Sequence, residues 1–165
     1  MRRTKQSPVK PGRFSIAALE DLAEIIRHRF AKPKETLREL FGRICFNVLC
    51  GNTDDHARNH AAFWDGNMLT LSPAYDICPQ GRTGNEASQA MLIKGDNRMS
   101  TLANCLATAP DFLLTDNEAL DIIKKQIVTI AGEWDSKINP DRLLAKVFIG
   151  DMIKLRDIAD EAPVL

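Results

Sequence analysis

Ten consecutive residues, Gly51-Asn52-Thr53-Asp54-Asp55-His56-Ala57-Arg58-Asn59-His60, gather two carboxylates, two imidazoles, a guanidinium and the amide of Asn59. They stand between an apolar, helix-patterned stretch and a pair of short extended runs. A polar loop held between rigid elements is where binding and catalytic groups concentrate. A further carboxylate, Asp76, follows the second extended run. Two runs joined by a tight turn fold back on themselves, so the residue after the pair can return to the loop before it.

The spacing points to phosphoryl transfer. That reaction needs a carboxylate to orient and deprotonate the attacking hydroxyl, and hard oxygen ligands for a Mg²⁺ ion that bridges the phosphates. In protein kinases the base aspartate and a Mg²⁺-binding asparagine share one loop with four residues between them. Asp54 and Asn59 have that spacing. A second Mg²⁺-binding aspartate is expected after a short strand pair, and Asp76 stands there. Tyr75 precedes it and Ile77 follows, so it is not part of an Asp-Phe-Gly triplet.

Blander readings compete. Asp54 alone would be a turn residue capping a backbone N–H. The joint register of His56, Asn59 and Tyr75-Asp76 argues against that. Asp55 reads as a solvated neighbour. His56 and His60 make an H-x-x-x-H spacing that suits zinc on one face of a helix, but Gly51 and Asn52 argue for a loop. His28 reads as a surface residue at a helix end. Trp64 and Trp134 read as packing residues in or beside the core. Asp111 and Asp116 read as first-turn or surface charge.

The elements that must position the loop can be read from periodicity. Leu19, Leu22, Ala23, Ile26 and Phe30 share one helical face, which predicts a helix over 16–30. Pro33 separates it from a second helix. Thr36 and Glu39 have capping-box spacing there, and the apolar stripe runs Leu37, Leu40, Phe41, Ile44, Cys45 and Val48. Gly51 is a natural C-terminal stop. Ala61–Trp64 and Met68–Leu71 flank Asp65-Gly66-Asn67, a strong hairpin signal. Residues 77–100 read as a long loop with a short strand near Ala90–Ile93. Thr101–Ala109 reads as a short helix. Thr115 and Glu118 form a second capping box before Leu120, Ile123, Ile127, Ile130 and Trp134. Asn139-Pro140-Asp141 opens a last helix through Leu143, Leu144, Val147 and Leu155. The expected fold is mostly α with one small β-hairpin.

Composition sets the outer limits. The 165 residues suit one domain, with 44% hydrophobic and 27% charged. Lysine plus arginine and aspartate plus glutamate each total 22, so no net field argues for coating nucleic acid. Residues 1–14 read as a basic tail, with Arg2, Arg3, Lys5, Lys10 and Arg13 and no acid. No apolar run approaches a bilayer span, and no secretory signal is visible. Cys45, Cys50, Cys78 and Cys105 form no C-x-x-C pair and read as reduced thiols of a cytoplasmic protein.

With the motifs in hand, the stretch Phe46-Asn47-Val48-Leu49-x-Gly51-Asn52-Thr53-Asp54-x-His56-Ala57-Arg58-Asn59, followed by Leu71-x-Pro73-x-Tyr75-Asp76-Ile77, resembles the HipA-like kinase family. The likeness runs from about Leu19 onward. It implies a protein-kinase-like C-terminal lobe of the HipA type over 15–165, and an ATP- and Mg²⁺-dependent serine/threonine protein kinase, the toxin of a toxin–antitoxin system. It further implies a helix-turn-helix antitoxin as partner and a protein substrate, aminoacyl-tRNA synthetases being known family substrates. By position, Asp54 would be the base, and Asn59 and Asp76 the Mg²⁺ ligands beside ATP. His56 would brace the loop or approach the phosphates, and Arg58 would support the cofactor site.

One departure shapes the expectation. The nine glycines form neither G-x-G-x-x-G nor G-x-x-x-x-G-K-[ST]. The nucleotide-gripping N-terminal lobe is therefore expected on another chain or another part of a longer protein. The alternative is a non-catalytic C-terminal lobe that binds an antitoxin or a substrate protein. Neither direct nucleic-acid binding nor membrane contact is expected.

Overall fold

The structure, a computed structural model, describes residues 18–81 and 87–137, with side chains through residue 132. The expected last helix and Trp134's side chain lie outside the described residues. The elements run α1 (Leu19–Arg29), α2 (Pro33–Leu49), β1 (Ala62–Trp64), β2 (Leu69–Leu71), α3 (Leu102–Ala107) and α4 (Asp116–Lys137). The mostly helical chain with one antiparallel hairpin is as the patterning led one to expect.

The helix α2 is the centre of the core and packs against α1, α3 and α4. Its apolar stripe buries Leu37, Leu40, Phe41, Ile44, Cys45 and Val48. Phe41 meets Phe112 edge to face at 5.8 Å between ring centroids. The Gln126 side-chain amide donates to the Gly42 carbonyl at 2.7 Å, where a Cβ on Gly42 would come within 3.3 Å of that nitrogen. This close approach ties α4 to α2.

Helix starts divide into one the sequence marks and two it does not. At α4 the capping box forms: the Thr115 hydroxyl accepts from the Glu118 N–H at 3.3 Å, and the Thr115 N–H donates to Glu118 Oε2 at 2.9 Å. At α2 it does not. That helix begins one turn earlier, with Pro33 in its first turn, so Thr36 already donates its backbone N–H to the Lys32 carbonyl at 2.9 Å. Glu39 is then free to pair with Arg43, one turn on, at 2.9 Å. Ala18 is extended and forms a parallel bridge to Leu92, which sets the start of α1 later than its apolar periodicity suggests.

The far end of α2 fixes where the polar loop starts. Gly51 has φ +71°, the left-handed conformation that glycine adopts without steric cost. The Asn52 N–H reaches the Asn47 carbonyl at 2.9 Å and the Gly51 N–H reaches that of Val48 at 3.4 Å, the paired bonds of a Schellman stop. The Asn52 side chain, itself buried, adds a 3.1 Å bond to Asn47 Oδ1.

The hairpin pairs Trp64 with Leu69 and Ala62 with Leu71. Its turn is closed by the Asp65 carboxylate, which accepts from the N–H groups of Asn67 and Met68, both at 2.8 Å. The Met68 N–H above all, then that of Asn67, holds the Asp65 carboxyl below its usual pKa. The base of β2 docks on the α1–α2 junction, where the Ala31 N–H donates to the Leu69 carbonyl at 3.0 Å.

Two sequence expectations are corrected. Residues 90–93 form no strand: Leu92 alone among them makes a bridge, an isolated one to Ala18, and Gly95 at φ +56° turns the chain back after Lys94. Trp64 is 56% exposed, with its whole strand on the surface, because no second layer among the described residues covers the two-stranded sheet. Cys45, Cys50 and Cys105 are buried and Cys78 exposed, and none of the four forms a disulfide. Among the described residues no helix is long and apolar enough to cross a membrane.

Candidate functional site

The loop leaves α2 at Gly51, passes through an extended His56, turns once as a 3₁₀ helix over Ala57–Asn59 and enters β1. Thr53 is tied to the segment beyond the hairpin, its carbonyl accepting from the Ala90 N–H at 2.9 Å. Asn59 is buried, and its Nδ2 donates to the backbone carbonyl of Asp54 at 3.2 Å. That bond spans the spacing picked out in the sequence and leaves Asn59 Oδ1 uncommitted by it.

After β2 the chain doubles back along the loop. The Ser72 N–H donates to the Ala61 carbonyl at 2.9 Å, the Tyr75 hydroxyl to the Arg58 carbonyl at 2.5 Å, and the Gln80 N–H to the Cys50 carbonyl at 3.0 Å. The partners on the loop fall as those on the returning segment rise, so the two stretches run antiparallel. Asp76 lies between the second and third ties. It is one of two non-glycine residues with positive φ among the described residues, at +56°, a conformation rare outside glycine that points to a constrained turn. Asp54 and Asp76 are both exposed.

Arg58 and His56 meet directly, with Arg58 Nη2 3.0 Å from His56 Nε2. A guanidinium only donates, so Nε2 accepts and the ring proton belongs on Nδ1. That Nδ1 is buried and finds no hydrogen-bond partner among the described residues.

Asp55 requires a correction. It is buried rather than solvated, and its Oδ1 lies 3.1 Å from His60 Nε2. His60 is therefore committed to a carboxylate inside the loop while His56 faces Arg58, and the H-x-x-x-H spacing does not become a two-histidine site. No group of three or more His, Cys, Asp or Glu positioned for a metal occurs among the described residues. The oxygen set of Asp54, Asn59 and Asp76 has different chemistry. Mg²⁺ takes one or two carboxylates, keeps several waters and shares substrate phosphates, and these exposed carboxylates and the Asn59 amide oxygen are hard oxygen donors of that kind.

The sequence family described as HipA-like C-terminal domain matches residues 5–134. The chain belongs to that family. Its fold also resembles the toxin of the Shewanella oneidensis MR-1 HipA–HipB complex with operator DNA, at TM-score 0.60 and 18% identity over 80% of this chain. This HipA-like chain spans 29% of the length of that HipA. No curated protein matches it.

Proposed function

We propose that this chain is the catalytic-loop lobe of an ATP- and Mg²⁺-dependent serine/threonine protein kinase, the toxin component of a toxin–antitoxin pair. The observation that supports the reading is the antiparallel return of residues 72–80 along the loop, tied at Ala61, Arg58 and Cys50, with Asp76 the residue after the Tyr75–Arg58 tie. Asp54 accepts the proton of the substrate hydroxyl and orients its oxygen. Asn59 Oδ1 and the Asp76 carboxylate hold Mg²⁺. When bound, that ion neutralises charge on the phosphates of ATP. The His56–Arg58 contact stiffens the turn and keeps a cation beside the phosphate site.

The protein's work in phosphoryl transfer is positioning and electrostatic stabilisation. A lobe that grips the adenine and covers the phosphates belongs to this reading, on the rest of a longer protein or on another chain. A HipB-like antitoxin of the helix-turn-helix type is the proposed regulatory partner, by analogy with the Shewanella complex. Cytoplasmic residence goes with four cysteines that form no disulfide.

A second reading, a non-catalytic binding module, draws on the exposed aromatics of the hairpin, Phe63 at 63% and Trp64 at 56%. Such residues are favoured at protein interfaces. Calorimetry with Mg²⁺·ATP and a radiolabelled-phosphate transfer assay separate the two. The kinase reading expects weak binding by the chain alone and Asp54-dependent transfer once a HipA-type N-terminal lobe is supplied. Transfer that never appears, with tight antitoxin binding retained, would establish the module instead.

A further inference from the structure

We propose that Asp55 and His60 form a buried positioning pair that clamps the loop and so sets the separation between the residues beside them, Asp54 and Asn59. The inference deepens the kinase reading and rests on it for the consequence, though not for the clamp itself.

The geometry is local and specific. Asp55 Oδ1 and His60 Nε2 are 3.1 Å apart, with side chains only 9% and 4% exposed. The 3₁₀ turn Ala57–Asn59 lies between them. The contact is one of proximity more than of alignment, since neither ring nitrogen of His60 has a hydrogen-bond partner among the described residues. Asp54 is exposed while Asp55 is buried, so the two neighbouring carboxylates meet different surroundings. The Asp55 carboxylate borders a small void lined by Asn47, Gln89, Met91 and Ile93. It is thus inserted between α2 and the 89–93 segment.

Burying a carboxylate is costly unless a partner offsets it. A residue serving only the turn would stay in water at no such cost. What the burial brings is a second closure of the same turn. Asn59 Nδ2 reaches the Asp54 carbonyl at 3.2 Å, and one residue inward at the front and outward at the back Asp55 meets His60. One closure fixes the Asn59 amide to the backbone that carries Asp54. The other anchors the turn to the core. Together they leave little freedom in the distance between Asp54 and Asn59, where a loose site would lose pre-organisation.

The test uses the full chain as Asp55→Asn, His60→Gln and the double variant, with Asn59→Ala as a control on the metal site. The first measurement is hydrogen exchange at the Asn59 and His60 amides, which bond to the carbonyls of His56 at 2.8 Å and Ala57 at 3.3 Å. Each single variant is expected to speed exchange there about tenfold more than at core amides of α2, and the double variant to add little to either single. The second measurement is a Mn²⁺ titration, with affinity expected to fall about tenfold in the same variants. Unchanged exchange at these two amides overturns the clamp. So does acceleration that only follows a uniform loss across the α2 core, because that reports stability alone. If exchange responds as expected but Asn59→Ala binds Mn²⁺ like the parent chain, the clamp stands and the metal assignment of the kinase reading fails.

Discussion

The Tyr75 hydroxyl donates to the Arg58 carbonyl at 2.5 Å, which joins the residue before Asp76 to the residue before Asn59. The bond does more than fill a surface contact, since it is the middle one of three ties that lay the returning chain along the loop. Tyr75→Phe removes the donor and keeps the ring. A neutral hydrogen bond contributes about 0.5–1.5 kcal/mol, which corresponds to a two- to tenfold change in an equilibrium constant. We expect Mg²⁺ affinity, followed by competition with Mn²⁺, to fall within that range while thermal stability changes little. No change in affinity would mean that Tyr75 does not help to place Asp76.

Asp54 is exposed and its carboxylate serves no fold contact among those described, so it can be altered without loss of structure. With an N-terminal lobe supplied, Asp54→Asn should abolish phosphate transfer and leave the circular dichroism melt unchanged. Loss of the hydroxyl-orienting base typically lowers rates by about 10²–10⁴-fold. Retained transfer in this variant would show that the wrong carboxylate carries the role.

Local chemistry was legible in the sequence and tertiary partnership was not. Gly51, Asp65-Gly66 and Thr115 with Glu118 each announce a stop, a turn or a start, because the bonds they make lie within a few residues of themselves. The Asp54–Asn59 spacing was legible for the same reason: the Asn59 amide closes back on Asp54. Asp55 gave no such signal. Its burial depends on His60 and on α2 and the 89–93 segment, and a carboxylate beside a carboxylate reads as surface charge until its partner is seen. Thr36 and Glu39 matched a capping pattern that Pro33 had already pre-empted one turn upstream. Trp64 reads as a packing residue because large aromatics usually are, and its exposure follows from a hairpin that no layer among the described residues covers.

The four cysteines should divide by reactivity. Cys78 is exposed, whereas Cys45, Cys50 and Cys105 are buried. Burial first, then the hydrogen bond with Cys105, pushes the Cys45 thiol well above its usual pKa, which starves it of the reactive thiolate. A thiol reagent at neutral pH should label one cysteine rapidly and the other three only after denaturation. Mass spectrometry should place the fast label on Cys78, and rapid label at Cys45 would contradict the packing of α2 against α3.

The Phe41–Phe112 contact joins α2 to the turn before α4, and both rings are fully buried. Phe112→Ala removes an edge-to-face partner and opens a cavity at the centre of the helical layer. Large-to-small substitutions of this kind cost about 3–5 kcal/mol. Denaturant unfolding should show a lower midpoint. A cost under about 1 kcal/mol would mean that the surrounding helices collapse to fill the space.

The start of α4 should make stability depend on acidity. The Thr115 N–H, and then its hydroxyl, hold the Glu118 carboxyl below its ordinary value of 4.5, with help from Arg38 at 3.6 Å. A carboxyl whose pKa is lower in the folded chain than in the unfolded one adds stability above the unfolded value. That contribution fades as pH falls through the folded value. Glu118→Gln keeps a side chain able to reach back to Thr115 but removes the charge. The variant should therefore melt below the parent chain at pH 7, and the gap should close as the pH is lowered from 5 to 3. A gap of equal size at both ends of that range would show that the carboxylate's charge plays no part in starting the helix.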